Sequence, residues 1–344
     1  MKLVYKSISF LIVFTLLLIV VSCNNETVEQ DENNDTIDTP MAKCENGFAD
    51  IYPCNGYDLM AHVTLNTMGA QEGNDSWGWT DTTTNREYAL VATDANTSFV
   101  DITISNNPIY LGSLPTATVS SSWRDVKVYN NHAFIVSEAP SHGMQVFDLT
   151  RLRNVANPPE TFSADARLTG FGSSHNIVIN EASGYAYIVG TNRNTSPSLG
   201  DPIFINIQNP TAPIMEGSLI EGSYSHDAQV VTYNGPDSDY AGKEILIGSN
   251  ENEVVIADVS DKLNPTIIST ISYSNVRYAH QGWFTEDMRY FILGDEVDEI
   301  EIGNKTRTVV FDFEDLDNPL YHFDFLGQSN AIDHNGYVKD NIYY

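Results

Sequence analysis

Basic residues are scarce in this chain. Seventeen Lys and Arg stand against 46 Asp and Glu, a formal net charge of −29 over 344 residues. A phosphate backbone is repelled by such a chain, which excludes a nucleic-acid binder working through bulk charge. An anionic membrane surface is excluded in the same way as a partner of the folded part. Cysteine is scarcer still, at three residues, too few for a disulfide-dense scaffold. Beyond the N-terminus no stretch carries a helical hydrophobic period, so the chain reads as all-β. The motifs GxSxG, HExxH, GxGxxG and the Walker A loop are all missing. His142-Gly143 follows Ser141, but nothing around it marks a triad. Aromatic residues are plentiful, with 18 Tyr and 15 Phe, which argues against a disordered chain.

The N-terminus holds the one long apolar run. Lys2 and Lys6 precede an apolar stretch from Ile8 to Val21, short for a membrane-spanning helix, that ends in Val20-Val21-Ser22-Cys23. This ending resembles the lipobox of bacterial lipoproteins. The resemblance implies a signal peptide over 1–22 and a Cys23 lipidated with palmitate-type acyl chains; an ordinary secretory signal or an uncleaved anchor is the alternative. Residues 24–40 carry six acids, no base and no aromatic, so residues 23–43 are expected to be the lipidated cysteine and a disordered acidic tether. Asn24 and the acidic tether resemble outer-membrane or surface lipoproteins. The compartment is then oxidising, and Cys44 and Cys54 are expected to pair, two free thiols being the alternative.

Residues 44–344 are organised by a repeat. Trp79-Thr80-Asp81 aligns with Trp123-Arg124-Asp125 at an offset of 44. The same skeleton continues as Ser174-His175-Asn176, Ser225-His226-Asp227, Ala279-His280-Gln281 and Asp333-His334-Asn335, each leading into apolar runs. A second landmark recurs within each unit: an apolar run ending near an acid, then a turn with Asn-Pro or a similar pair, as in FVDITISNNP, IFINIQNP and VIADVSDKLNP. Each unit therefore reads as four short strands with polar turns. Units of this length and strand number indicate a β-propeller of four-stranded blades, five complete with the start of a sixth. The sixth unit stops at Tyr344. Either the chain is a truncated piece, the favoured expectation, or residues 44–76 supply the missing outer strands.

The repeats resemble LVIVD-repeat propellers, and more closely the bacterial choice-of-anchor B family. The residues that carry the likeness are CENGFADIYPC, WGWTDTTTNREYALV, SSWRDVKVYNNHAFIVSEA with HGMQVFDLT, YNGPDSDYAGKE, HQGWFTEDMRYFILGDEVDE and AIDHNGYVK. They span about residues 44–344. The resemblance implies a propeller on a surface anchor and brings no established reaction.

Two columns of residues are the candidates for chemistry. One column is Thr80, Arg124, His175, His226, His280 and His334; the other is Asp81, Asp125, Asn176, Asp227, Gln281 and Asn335. The second column, all carboxylate or amide, is expected to pin turns between blades. Four of the eight histidines share one position in successive units, which points to a ring at one channel mouth. Such a ring either holds a transition metal or an anionic ligand, the second column orienting the imidazoles, or is purely structural. Arg124 in the same column favours an anion. Weaker candidates for calcium are Asp295, Glu296, Asp298 and Glu299, and Asp237, Asp239 and Glu244 with Asn234, although neither set has an EF-hand spacing. The expected function is a lipid-anchored binding module of the cell envelope, its partner a protein or a small molecule, touching the membrane only through its lipid. The alternative is a metal-dependent enzyme centred on the histidine ring.

Overall fold

The computed structural model describes residues 39–220 and 224–344. The signal segment 1–22, Cys23 and the tether up to residue 38 lie outside the described residues. The chain is a β-propeller. Strands Gly73–Asp81, Arg86–Thr93, Asn96–Asp101 and Ile109–Pro115 form the first blade, antiparallel and in sequence order. The second is Arg124–Tyr129, His132–Ser137, Met144–Asp148 and Ala166–Leu168; the third is Ser174–Asn180, Tyr185–Thr191, Ile203–Asn206 and Ile214–Ser218. The fourth is Asp227–Thr232, Glu244–Ser249, Val254–Asp258 and Thr266–Ile271; the fifth is Ala279–Phe284, Tyr290–Asp295, Arg307–Asp312 and Leu320–Leu326. The first strand of each blade is innermost, and these five strands lie side by side around a channel.

The apolar runs explain the packing. Side chains of a strand alternate between faces, so a middle strand packed on both sides reads as a continuous apolar segment. In His132–Ser137, Ala133 and Ile135 join the core shared with the first blade, while Phe134 and Val136 join the core shared with the third. Two further cores fill the seams between blades three and four and between four and five. The recurring acid or amide has one job in all five blades. Asp101, Asp148, Asn206, Asp258 and Asp312 end the third strands, and each accepts the backbone N–H two residues on, at 2.9–3.1 Å. This side-chain turn stops the strand and reverses the chain toward the outermost strand.

The sixth position is filled by the C-terminal segment. Its two short strands, Val338–Lys339 and Ile342–Tyr343, pair only with each other. Tyr337 lies between the first and fifth blades, its ring 6.2 Å from Trp77 and 5.0 Å from Trp283. Residues 44–76 do not complete this sheet: Phe48–Ala49 and Tyr52–Pro53 form a separate two-stranded sheet, tied by the Cys44–Cys54 disulfide. Helix is confined, among the described residues, to the short segments Leu149–Asn154, Ser238–Tyr240 and Asp298–Glu301.

The first blade has an added strand. Between its third and fourth strands the second blade sends out a long connection whose Glu160–Thr161 pairs in parallel with Ile109–Pro115. Gly112, at φ +139°, is required there: a Cβ would sit 2.0 Å from the Glu160 carbonyl oxygen.

Candidate functional site

The four repeat histidines meet at one end of the channel. Ring centroids are 4.4 Å apart for His175–His226, 4.5 Å for His226–His280 and 4.2 Å for His280–His334. Each stands at the start of an innermost strand or of the segment that replaces one. Gly190, at φ +63°, makes this approach possible, because a Cβ there would fall 2.4 Å from the His175 Cβ. Surrounding groups fix the rings. His175 Nδ1 is 2.6 Å from Glu138 Oε1, His226 Nδ1 is 3.0 Å from the Tyr278 hydroxyl, and His280 Nδ1 donates to the His334 carbonyl at 3.2 Å. Glu296 completes the group, with its oxygens 3.6 Å from His280 Nε2 and 3.9 Å from His334 Nε2. Burial, then the neighbouring imidazoles, hold His226 neutral, its pKa lowered to about 2; burial and His334 lower His280 to about 3.

Arg124 departs from the expected ring. Its side chain is fully buried, donating from Nε to the Thr93 carbonyl at 2.8 Å and from Nη1 to His142 Nε2 at 3.0 Å. His142 donates its Nδ1 proton to the Gly143 carbonyl, and burial lowers its pKa to about 4. Both groups tie the first blade to the second, so Arg124 presents no charge to an anion at the channel mouth.

The column of carboxylates and amides passes from blade to blade. Asp125 Oδ2 accepts Ile177 N–H at 2.8 Å, and Gln281 Oε1 accepts Gly336 N–H at 2.9 Å. Asn176 donates to the His226 carbonyl at 3.4 Å, while Asp227 accepts its own neighbour's N–H from Ala228 at 2.7 Å. Asn335 lines the channel in the C-terminal segment. In the first blade the matching residue is Asp75, whose Oδ2 accepts Val126 N–H at 3.4 Å. Asp81 is not its equivalent. It ends the innermost strand at the opposite side of the sheet, where Arg153 grips both its oxygens at 2.6 and 2.7 Å. That ion pair, with the Thr84 hydroxyl, holds Asp81 well below the usual carboxylate range. The offset of 44 matched Trp-x-Asp triplets from unlike ends of two strands, and Thr80 is displaced with Asp81. Asp75 stands 50 residues before Asp125, in step with the later spacings of 51 and 54.

The channel holds a cavity of about 710 Å³ that His175, His280 and His334 help to line. Asp75, Asp125, Asp227 and Lys127 face it at one level, and Trp77, Trp283 and Tyr337 supply aromatic walls. Lys127 Nζ bonds Asp125, lies 3.3 Å from Asp75 and sits 4.6 Å over the Trp77 ring. Asp75 and Asp125 both face Lys127 and act on each other's ionisation. Burial and the Asp125 charge raise Asp75 to about 8; burial opposes ionisation of Asp125 as well, but Lys127 and the bonds from Asp75 and Ile177 hold it below its ordinary value. Burial and Asp125 raise Asp227 to about 7. Sequence reading missed Asp75, Lys127, Tyr337 and the place of Glu296; regular spacing was the available signal for Asp75.

The calcium candidates are dispersed. Asp295 accepts from the Tyr273 hydroxyl and from the Arg277 and Tyr278 N–H groups, Asp298 pairs with Arg307 at 3.0 Å, and Glu299 accepts from Arg307 and Asp333 N–H. Asp237 caps a turn, accepting from Asp239 N–H and Leu316 N–H. Glu244 accepts from Asn180, Ser183, Tyr187 and Lys262, joining blades three and four. Neither predicted set converges on one point; Asp237 instead groups with Asp315 and Asp317, their oxygens within 4.8 Å of one another.

No family model matches the chain, and no curated protein matches it. Solved structures do. A protein of Bacteroides uniformis, provisionally assigned as a 6-phosphogluconolactonase, superposes with a TM-score of 0.53 at 14% identity, over 77% of this chain and 74% of that one. A functionally unknown protein of Desulfotomaculum acetoxidans gives 0.48 at 14% identity over 74% and 70%. The β-propeller domain of Cps50 (Swd1) from Myceliophteria thermophila gives 0.43 at 7% identity over 70% and 69%. At such identities the first likeness speaks to the fold alone.

Proposed function

We propose that this chain is a binding module of the cell envelope, lipid-anchored at Cys23 on the outer membrane or cell surface, that takes a small polar ligand into its central cavity. The observation that carries the reading is the cavity itself. Its volume suits a small molecule, and its wall combines aromatic faces with a few converging polar groups. With Asp75 raised to about 8, Asp227 to about 7 and Asp125 paired to Lys127, the inner wall carries little charge at neutral pH, and Glu181 at the lining adds a negative one. It favours an uncharged ligand rich in hydroxyl or amide groups over an anion.

Two measurements test this. Native mass spectrometry of the chain extracted from its own membranes is expected to show a bound small molecule that Val128→Trp, which fills the cavity wall, abolishes. The same mass on both proteins, or on neither, overturns the reading. Cys23→Ala is expected to release the chain from membranes after a high-salt wash; retention would overturn the anchor. An enzyme built on the histidines is the second reading, favoured by the side-by-side imidazoles, and it requires turnover in addition to binding.

A further inference from the structure

We infer that the channel mouth binds one divalent transition-metal ion on His226, His280 and Glu296, beside the cavity proposed for the small molecule. The candidate ligand atoms of these three residues all lie within 4.8 Å of one another. The ring tautomers suit the task. His280 Nδ1 faces a carbonyl, which only accepts, so its proton sits there and Nε2 keeps a lone pair. The Tyr278 hydroxyl, 3.0 Å from His226 Nδ1, can donate or accept. As an acceptor it takes the Nδ1 proton of His226 in a hydrogen bond when Nε2 coordinates. Fixing one ring nitrogen by a polar neighbour while the other coordinates is the usual support of a metal-bound histidine.

A second observation points to a ligand. His226 is 6% exposed and its Nε2 has no hydrogen-bond partner among the described residues. A buried nitrogen left unpaired is costly, and a metal ion satisfies it. Glu296 is 35% exposed, so its carboxylate is free to close the last gap to the imidazoles. His334 stands beside His280 with its Nε2 3.9 Å from Glu296, and His175 stands beside His226, so further imidazoles flank the three ligands. Two imidazoles and one carboxylate select zinc, cobalt, nickel or copper over calcium or magnesium, which demand oxygen ligands. Three protein ligands leave a tetrahedral ion one open position.

The test uses the full chain in detergent, stripped of metal by chelator and titrated with Zn²⁺ or Co²⁺ alone. We expect one saturable equivalent, visible absorption of tetrahedral Co²⁺, and a rise in melting temperature on adding zinc. Glu296→Gln is expected to weaken binding at least about tenfold, by analogy with losses on altering groups around a metal, and His280→Ala to abolish the cobalt spectrum. Because His280 is buried and its loss can disturb folding, the exposed Glu296 variant carries the test, provided its metal-free melting matches the parent. No saturable binding by the intact chain, or equal affinity in the parent and Glu296→Gln, overturns the inference. Neither result touches the Val128→Trp comparison, so metal site and cavity reading fail separately.

Discussion

Asp125 reaches from the second blade to the third, its carboxylate accepting the Ile177 N–H at 2.8 Å. The same carboxylate neutralises Lys127. One side chain thus holds two blades together and satisfies a buried cation. Asp125→Ala strands both partners and is expected to cost about 3–5 kcal/mol of unfolding free energy, the range for breaking a buried pair. Asp125→Asn keeps an acceptor and should cost less. Denaturant melts of the two variants check the order.

Asp75 and Asp227 impose a pH dependence. Their native pKa values, about 8 and about 7, lie above the ordinary carboxylate value of 3.8. Between those limits the folded chain binds more protons than the unfolded one, so their contribution is present at low pH and is lost as pH rises. Stability should therefore decline from about pH 4 to pH 8 on their account. The groups facing Asp75 are Asp125, Lys127 and Tyr337, and only Asp125 opposes its ionisation by charge. Asp75→Asn is expected to flatten the decline, read as melting temperature against pH.

Glu244 is the corresponding hub between blades three and four. It is buried, bonded to Lys262 Nζ at 2.6 Å and to the Tyr187 hydroxyl at 2.6 Å. Glu244→Ala should destabilise by about 3–5 kcal/mol, because it leaves Lys262 buried without its counter-charge. Glu244→Ala with Lys262→Met should recover part of this loss in a double-mutant cycle.

Tyr337 links the first and last complete blades through Trp77 and Trp283. Tyr337→Ala is expected to expose both indoles to water, shifting tryptophan emission to the red and raising its quenching by acrylamide. Unchanged emission would mean that the two blades stay together without it.

The blade count and the histidine arc were legible in the sequence because both follow from repetition. Equal turns place equal residues at equal points, and His175, His226, His280 and His334 inherit one register. The first blade was misread because two similar triplets outweighed the spacing: Asp81 and Asp125 look alike but end and begin their strands, respectively. The departure of Arg124 was invisible, since its partners Thr93 and His142 come from a different blade and a loop. Glu296 lay in view as part of an acidic run, but pairing of Ala279 with Asp295 is what carries it beside His280. That proximity belongs to strand register between neighbours, which one column of residues does not contain.

The strand Glu160–Thr161 sets an order of assembly. The outer edge of the first blade is sealed by residues that belong, in sequence, to the second. During synthesis the strand Ile109–Pro115 must therefore wait for about fifty further residues before its open edge is covered. The vulnerable interval in the birth of this protein lies there, and a ribosome-stalled chain ending shortly before residue 160 would present that edge to any neighbouring strand.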